Sequence, residues 1–148
     1  MVKILFLCHG NICRSPMAEF IMKALAREAG LASRLRIDSA AVSREEIGNP
    51  IYPPAQRQLR AHGVPFDDHR ARQMTRADYD AYDLLIGMDR QNLAGMRRIC
   101  GDDPDGKLQL LMDYTGAARD VADPWYTGDF DAAWRDIESG CRALLASL

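Results

Sequence analysis

Nowhere in its 148 residues does the chain carry an apolar run long enough to span a membrane. Its first apolar stretch, Ile4-Leu5-Phe6-Leu7, is also too short for a signal peptide, so the cytoplasm is the expected location. No charge of one sign dominates. The 19 basic and 21 acidic residues leave a net charge of -2, which speaks against nucleic acid or an anionic membrane surface as a partner. Cysteine is scarce, with 4 residues and no export signal, so a disulfide framework is excluded and the thiols are expected to be reduced. Repeats, low-complexity tracts and linkers are missing too, and the length suits a single domain over residues 1–148 with a core of its own. Oligomeric state is left open by all of this.

What is present is an alternation of short apolar runs with helical patterns. Residues 3–7, 35–39, 84–88 and 108–111 read as strands. Helices are expected at about 16–29, 54–62, 76–82, 90–98 and 129–147. Thr75 and Asp78 stand at capping-box spacing before the third helix, and Asp89 precedes the fourth. The last helix has its apolar stripe at Phe130, Trp134, Ile137, Cys141, Leu144 and Leu145. Such alternation predicts an α/β fold with a parallel sheet covered by helices on both faces, and a ligand site beyond the carboxyl ends of its strands.

At that end of the first strand lies Cys8-His9-Gly10-Asn11-Ile12-Cys13-Arg14-Ser15-Pro16. Ser15 suits an N-cap and Pro16 the first helical position, where its missing N–H costs nothing. Met17, Phe20, Ile21, Ala24 and Leu25 then recur on one helical face. Gly10 and Asn11 are the residue types that best tolerate the positive φ of a tight turn. A loop of this kind aims its N–H groups at a helix N-terminus and favours an anion, phosphate in particular. Cys8 at its mouth is a candidate nucleophile, with Arg14, the loop amides and the Ser15 hydroxyl all favouring the thiolate. Arg14 offers a planar fork that matches two phosphoryl oxygens. Downstream acids are numerous. Asp123 is distinguished by Pro124, which holds it extended, and by Trp125-Tyr126, which place aromatic surface beside it. Asp102, Asp103 and Asp105 read as a solvated turn.

Cys8 to Ser15, followed by Pro16-Met17-Ala18-Glu19, resembles the signature loop of the low-molecular-weight protein tyrosine phosphatases. The likeness continues in Asp38-Ser39-Ala40, His69-Arg70-Ala71-Arg72-Gln73, Met88-Asp89 and Asp123-Pro124-Trp125-Tyr126, in the family's order along nearly the whole chain. It implies four parallel strands in the order 2-1-3-4, and hydrolysis of phosphotyrosine in protein substrates without cofactor or metal. The resemblance assigns Cys8 as nucleophile, Arg14 to the phosphoryl group and Asp123 as general acid and base. It implies a binding site made of His9, Gly10, Asn11, Ile12, Cys13, Ser15, Trp125 and Tyr126. Asn11 is implied to be held by hydrogen bonds from Ser39 and His69. Cys13 is either packing or a partner that traps an oxidised Cys8 as a disulfide. One departure stands out. Where many relatives carry an aromatic after the Asp-Ser-Ala segment, this chain reads Val42-Ser43-Arg44-Glu45-Glu46. The pocket rim is therefore expected to be acidic, with Tyr52 the nearby candidate to supply the missing ring.

Other readings are weaker. A thioredoxin-coupled arsenate reductase on this scaffold needs a close pair of further cysteines, and residues 80–92 contain none. A phosphate-binding module would need neither Cys8 nor Asp123. A zinc site at Cys8, His9 and Cys13 lacks a second ligand pair. Phosphoarginine hydrolysis goes in some relatives with Thr beside the loop Asn, whereas this chain has the larger, apolar Ile12.

Overall fold

The computed structural model describes residues 1–148. Four strands, β1 (Val2–Cys8), β2 (Leu35–Ala41), β3 (Leu84–Gly87) and β4 (Leu108–Leu110), form a sheet in the order β2-β1-β3-β4, with every pairing parallel. Six α-helices cover it: α1 (Arg14–Glu28), α2 (Pro53–Ala61), α3 (Arg76–Ala81), α4 (Arg90–Cys100), α5 (Pro124–Thr127) and α6 (Phe130–Ser147). Two short 3-10 turns, Ala32–Arg34 and Leu111–Thr115, complete the chain.

The continuous apolar run of β1 follows from burial on both faces. Ile4, Phe6 and Cys8 join a core shared with α1, α2 and α6, while Leu5 and Leu7 join a second cluster with Tyr79 of α3, Tyr82 just after it and Met96 of α4. In α6 the stripe is buried at Trp134, Ile137, Cys141 and Leu144 and half-buried at Phe130 and Leu145. Gly140 lets this helix close on the turn after β4, because a Cβ there would lie 2.5 Å from Leu111 Cγ.

Element boundaries fall within about two residues of those expected from periodicity, the usual fraying at ends. The capping box of α3 is formed by Thr75 and Asp78, and α4 has another, in which Asp89 accepts from the Asn92 amide at 2.7 Å. Two local expectations are corrected. α1 starts at Arg14 with Cys13 at its N-cap, so Ser15 is not the cap and Pro16 is the third helical residue. Pro16 still lies in the first turn, where no intrahelical N–H bond is required. Asn11 alone in the loop has positive φ, at 60°, and Gly10 does not. Gly10 is instead a place of close approach, where a Cβ would lie 3.2 Å from Glu46 Cγ. Alternation of structure missed α5, whose four residues are too few to show a period.

Candidate active site

Cys8 ends β1, and the chain turns directly into α1, so its sulfur is held over the first turn of that helix. Ser15, freed from capping, places its amide 3.4 Å and its Oγ 3.0 Å from Cys8 Sγ. The same Oγ accepts from Asn11 Nδ2 at 2.8 Å. The Ser15 hydroxyl hydrogen then has two acceptors in reach, Cys8 Sγ and the Ala40 carbonyl oxygen at 3.5 Å.

Asn11 is fully buried, and its left-handed turn is held from four sides. Its Nδ2 also donates to Ser39 Oγ at 3.0 Å, while its Oδ1 accepts from His69 Nε2 at 3.1 Å and from the Arg72 amide at 3.3 Å. The amide oxygen can only accept, so His69 Nε2 is the donor of this bond. Behind them stands Glu19, a buried carboxylate that accepts from Ser39 Oγ at 2.6 Å and from Lys23 Nζ at 2.6 Å, with His69 Nδ1 at 3.7 Å. The segment bearing His69 is fixed to the end of the sheet by Ala41 N to Arg72 O at 2.7 Å and Met74 N to Ala41 O at 2.8 Å. This branched polar network therefore sets the loop before any ligand arrives.

Arg14 is 2% exposed, which no isolated guanidinium would tolerate. Its Nη1 donates to Asp89 Oδ2 at 2.7 Å and to Val121 O at 2.9 Å, and its Nη2 lies 3.3 Å from Asp123 Oδ2. Burial opposes the charge, but the neighbouring Cys8, Asp123 and Asp89 outweigh it and hold the Arg14 pKa above its ordinary value. Asp123 caps α5, accepting from the Trp125 amide at 3.0 Å, and its side chain is 23% exposed. Burial first, and then Cys8 and Asp123, push the Cys13 thiol far up, so it stays protonated.

These groups surround a cavity of about 110 Å³ lined by Cys8, Arg14 and Asp123 within, Ile12 and Trp125 as apolar surface, and His9, Glu45, Glu46 and Tyr126 around the opening. Gly10 and Cys13 also line it. Asn11 and Ser15 do not. Their side chains are fully buried beneath the loop and hold its backbone. Tyr52 does not supply the missing ring. It packs against Trp125 with ring centroids 4.8 Å apart and backs that ring, while Glu45 and Glu46 occupy the rim. Glu45 accepts from His9 Nε2 at 2.8 Å. No group of three or more His, Cys, Asp or Glu side chains stands in position to hold a metal ion.

Asp89 and Glu19 are functional candidates to which reading the residues gave no role. Each sits in a stretch that resembles the family, yet nothing local says that either carboxylate turns inward to another element.

The model of the low molecular weight phosphotyrosine protein phosphatases matches residues 3–148. This chain belongs to that family. It is 41% identical over 150 residues to the low molecular weight protein-tyrosine-phosphatase YfkJ of Bacillus subtilis, spanning 100% of this chain and 96% of that one. The crystal structure of YfkJ superposes with a TM-score of 0.96 over 99% of this chain and 94% of that chain. The human low molecular weight phosphotyrosine protein phosphatase is 36% identical over 147 residues, covering 96% of this chain and 92% of its own. A Drosophila relative described as an arginine phosphatase is 32% identical, with a TM-score of 0.88 over 99% of this chain and 97% of that chain. The sheet order 2-1-3-4 of this phosphatase is thus the family's, and its function is that of a protein tyrosine phosphatase. No helix in it is long and apolar enough to cross a membrane.

Proposed function

We propose that residues 1–148 act as one catalytic domain in which Cys8 attacks phosphotyrosine, Arg14 holds the phosphoryl group and Asp123 moves the proton. One observation carries this reading: Cys8, Arg14 and Asp123 line the same small cavity, although 115 positions separate the first from the last. In the first step Cys8 Sγ forms a bond to phosphorus as the bond to the phenolic oxygen breaks, and the protonated Asp123 carboxyl gives that oxygen its proton. In the second, Asp123, now a carboxylate, takes a proton from water. The resulting oxygen nucleophile displaces sulfur, releasing phosphate and restoring the thiolate. Arg14 and the loop amides bind the equatorial oxygens throughout, in a geometry that the Asp89 and Val121 contacts set in advance. Asn11, Ser39, His69 and Glu19 act at one remove, by keeping the loop in shape.

Phosphotyrosine fits this slot better than an alkyl phosphate. Its ring spans the depth between Ile12 and Trp125 and gains apolar contact, whereas phosphoserine is short and brings its backbone against the rim. Ile12 also supports an aromatic guest over a guanidino one. The proposed location is the cytoplasm, which suits four cysteines that are all free.

Turnover of phosphotyrosine, phosphoarginine and phosphoserine peptides of one sequence tests the assignment. Phosphotyrosine is expected to be hydrolysed far faster than the other two, and equal rates would overturn the slot. Cys8→Ser is expected to abolish turnover while phosphate or vanadate still binds, because no base adjoins the alcohol to activate it. Near-normal activity would remove the mechanism.

A further inference from the structure

A second groove, of about 350 Å³, opens beside the slot and shares His9, Arg14, Asp123 and Tyr126 with it. Its far wall is α4, which contributes Gln91, Ala94 and Arg98, and Val42 lies at its base. The helix reaches Val42 only because residue 95 is glycine, since a Cβ there would stand 2.9 Å from Val42 Cβ. The groove is therefore built by close packing of α4 on the chain leaving β2, and it runs directly from the phosphate site.

Its charges are unequal in availability. Asp89 is spent on Arg14 and on the Asn92 amide, and Asp123 on Arg14 and the Trp125 amide. His9 leans away, toward Glu45 on the opposite rim. Arg98 is exposed, lines the groove and has no carboxylate within 4.0 Å. The free cation thus lies on one side of the slot, and Glu45 and Glu46 lie on the other. Arg97, next in sequence, also complements the C-terminus of α4 but takes no part in the groove.

We propose that this groove is a subsite for the substrate chain on one side of the phosphotyrosine, and that Arg98 there selects an acidic side chain. The inference rests on the phosphotyrosine reading above. Paired with the acidic opposite rim, it makes the enzyme prefer a polar arrangement, with an acidic flank toward α4 and a basic flank toward Glu45. The guanidinium fork matches a carboxylate, and Gln91 supplies amide groups for the peptide main chain.

The test compares kcat/KM for phosphotyrosine peptides that carry Glu or Gln at single positions on either side of the phosphotyrosine. Wild type, Arg98→Glu and Arg97→Glu are assayed at about 10 mM ionic strength, where screening is weak. Wild type is expected to favour Glu by about 2- to 5-fold on one side only, the range of an exposed ion pair. Arg98→Glu should reverse that preference, and Arg97→Glu, with the same change in net charge, should keep it. Hydrolysis of a small aryl phosphate, which does not reach the groove, should stay within about 2-fold in all three. The same Glu-to-Gln ratio in wild type and Arg98→Glu would overturn the subsite, as would equal changes in the two variants, which would signify bulk charge. Failure to hydrolyse any phosphotyrosine peptide while the aryl phosphate is turned over would instead overturn the reading of the slot.

Discussion

Replacing Asp123 separates proton transfer from every other task at the site. The side chain has three: its Oδ1 caps α5 by accepting from the Trp125 amide, its Oδ2 lies 3.3 Å from Arg14, and in the proposed reaction it moves the proton, to the leaving phenolate in the first step and from water in the second. Asp123→Asn keeps an acceptor for the cap and removes the proton. Asp123→Ala removes all three. Loss of the cap costs about 1 kcal/mol of local stability, confined to a helix of four residues. Loss of the contact to Arg14 is small in consequence, because Nη1 remains fixed by Asp89 at 2.7 Å and by Val121 O at 2.9 Å. What remains is the general-acid contribution, about 10²- to 10⁴-fold for a leaving group that needs its proton. Both variants are therefore expected to lose about that factor in kcat/KM, which reports the first step alone, on phosphotyrosine peptide. On aryl phosphates with strongly acidic phenols kcat/KM should fall at most about 10-fold, since those phenolates depart unaided, while kcat falls for every substrate because the base of the second step is lost too. The measurement is a plot of log kcat/KM against leaving-group pKa, nearly flat for wild type and steep for both variants. Parallel plots would refute the assignment of Asp123 as the acid. A steep plot for Ala with a flat one for Asn would show that position, rather than proton transfer, is what Asp123 supplies.

Three further outcomes follow from the geometry. Peroxide should oxidise the Cys8 thiolate to a sulfenic acid, and the protonated Cys13 thiol should then condense with it, losing water to give a disulfide that dithiothreitol reverses; Cys13→Ser should convert this to irreversible loss, and equal recovery of both proteins would leave Cys13 as packing alone. Glu45→Gln and Glu46→Gln should each lower kcat/KM for peptides with basic residues beside the phosphotyrosine by about 2- to 5-fold at low salt, and indifference to flanking charge in wild type would refute the acidic rim. Asp103, expected to be a solvated turn residue, in fact accepts from Tyr79 Oη at 2.6 Å and from the amides of Lys107 and Leu108 at 2.7 and 3.1 Å. Burial opposes its charge, but these hydrogen bonds prevail and hold its pKa below the ordinary 3.8, so its stabilisation is complete above that pH and is lost as pH falls through the lowered value. Asp103→Asn should be less stable by about 1.5–3 kcal/mol near pH 7, with the gap to wild type narrowing below pH 3.8, and denaturation midpoints that stay parallel down to acid pH would refute it.

Residues 1 to 30 carry most of their structure on their face. An unbroken apolar run makes β1 a strand buried on both faces, the 3.6-residue period makes α1 a helix, and the turn between them brings Cys8 and Arg14 to one anion site. The box of Thr75 and Asp78 is legible for the same reason, since a cap joins residues three apart and sequence displays such neighbours directly; at the fourth helix only Asp89 before its start is legible, and the Asn92 half of that box comes from the structure. Strand order was not legible in this way. Period fixes which face of a strand is buried but not which strand lies beside it, and the order 2-1-3-4 came from the family's likeness alone. Tertiary structure decided everything that reaches across that order. It placed Asp123 and Asp89 on Arg14 from positions 109 and 75 residues away, and it set Glu19 behind Ser39 and His69 to hold Asn11. It also turned Ser15 from the helix cap it resembles to the sulfur it serves, and put Tyr52 behind Trp125 rather than in the slot. The physical reason is common to all of these. A buried charge or hydroxyl takes whichever partner the packed elements bring within 3 Å, and that distance is set by the sheet's register and the crossing of its helices, quantities that no stretch of chain contains by itself.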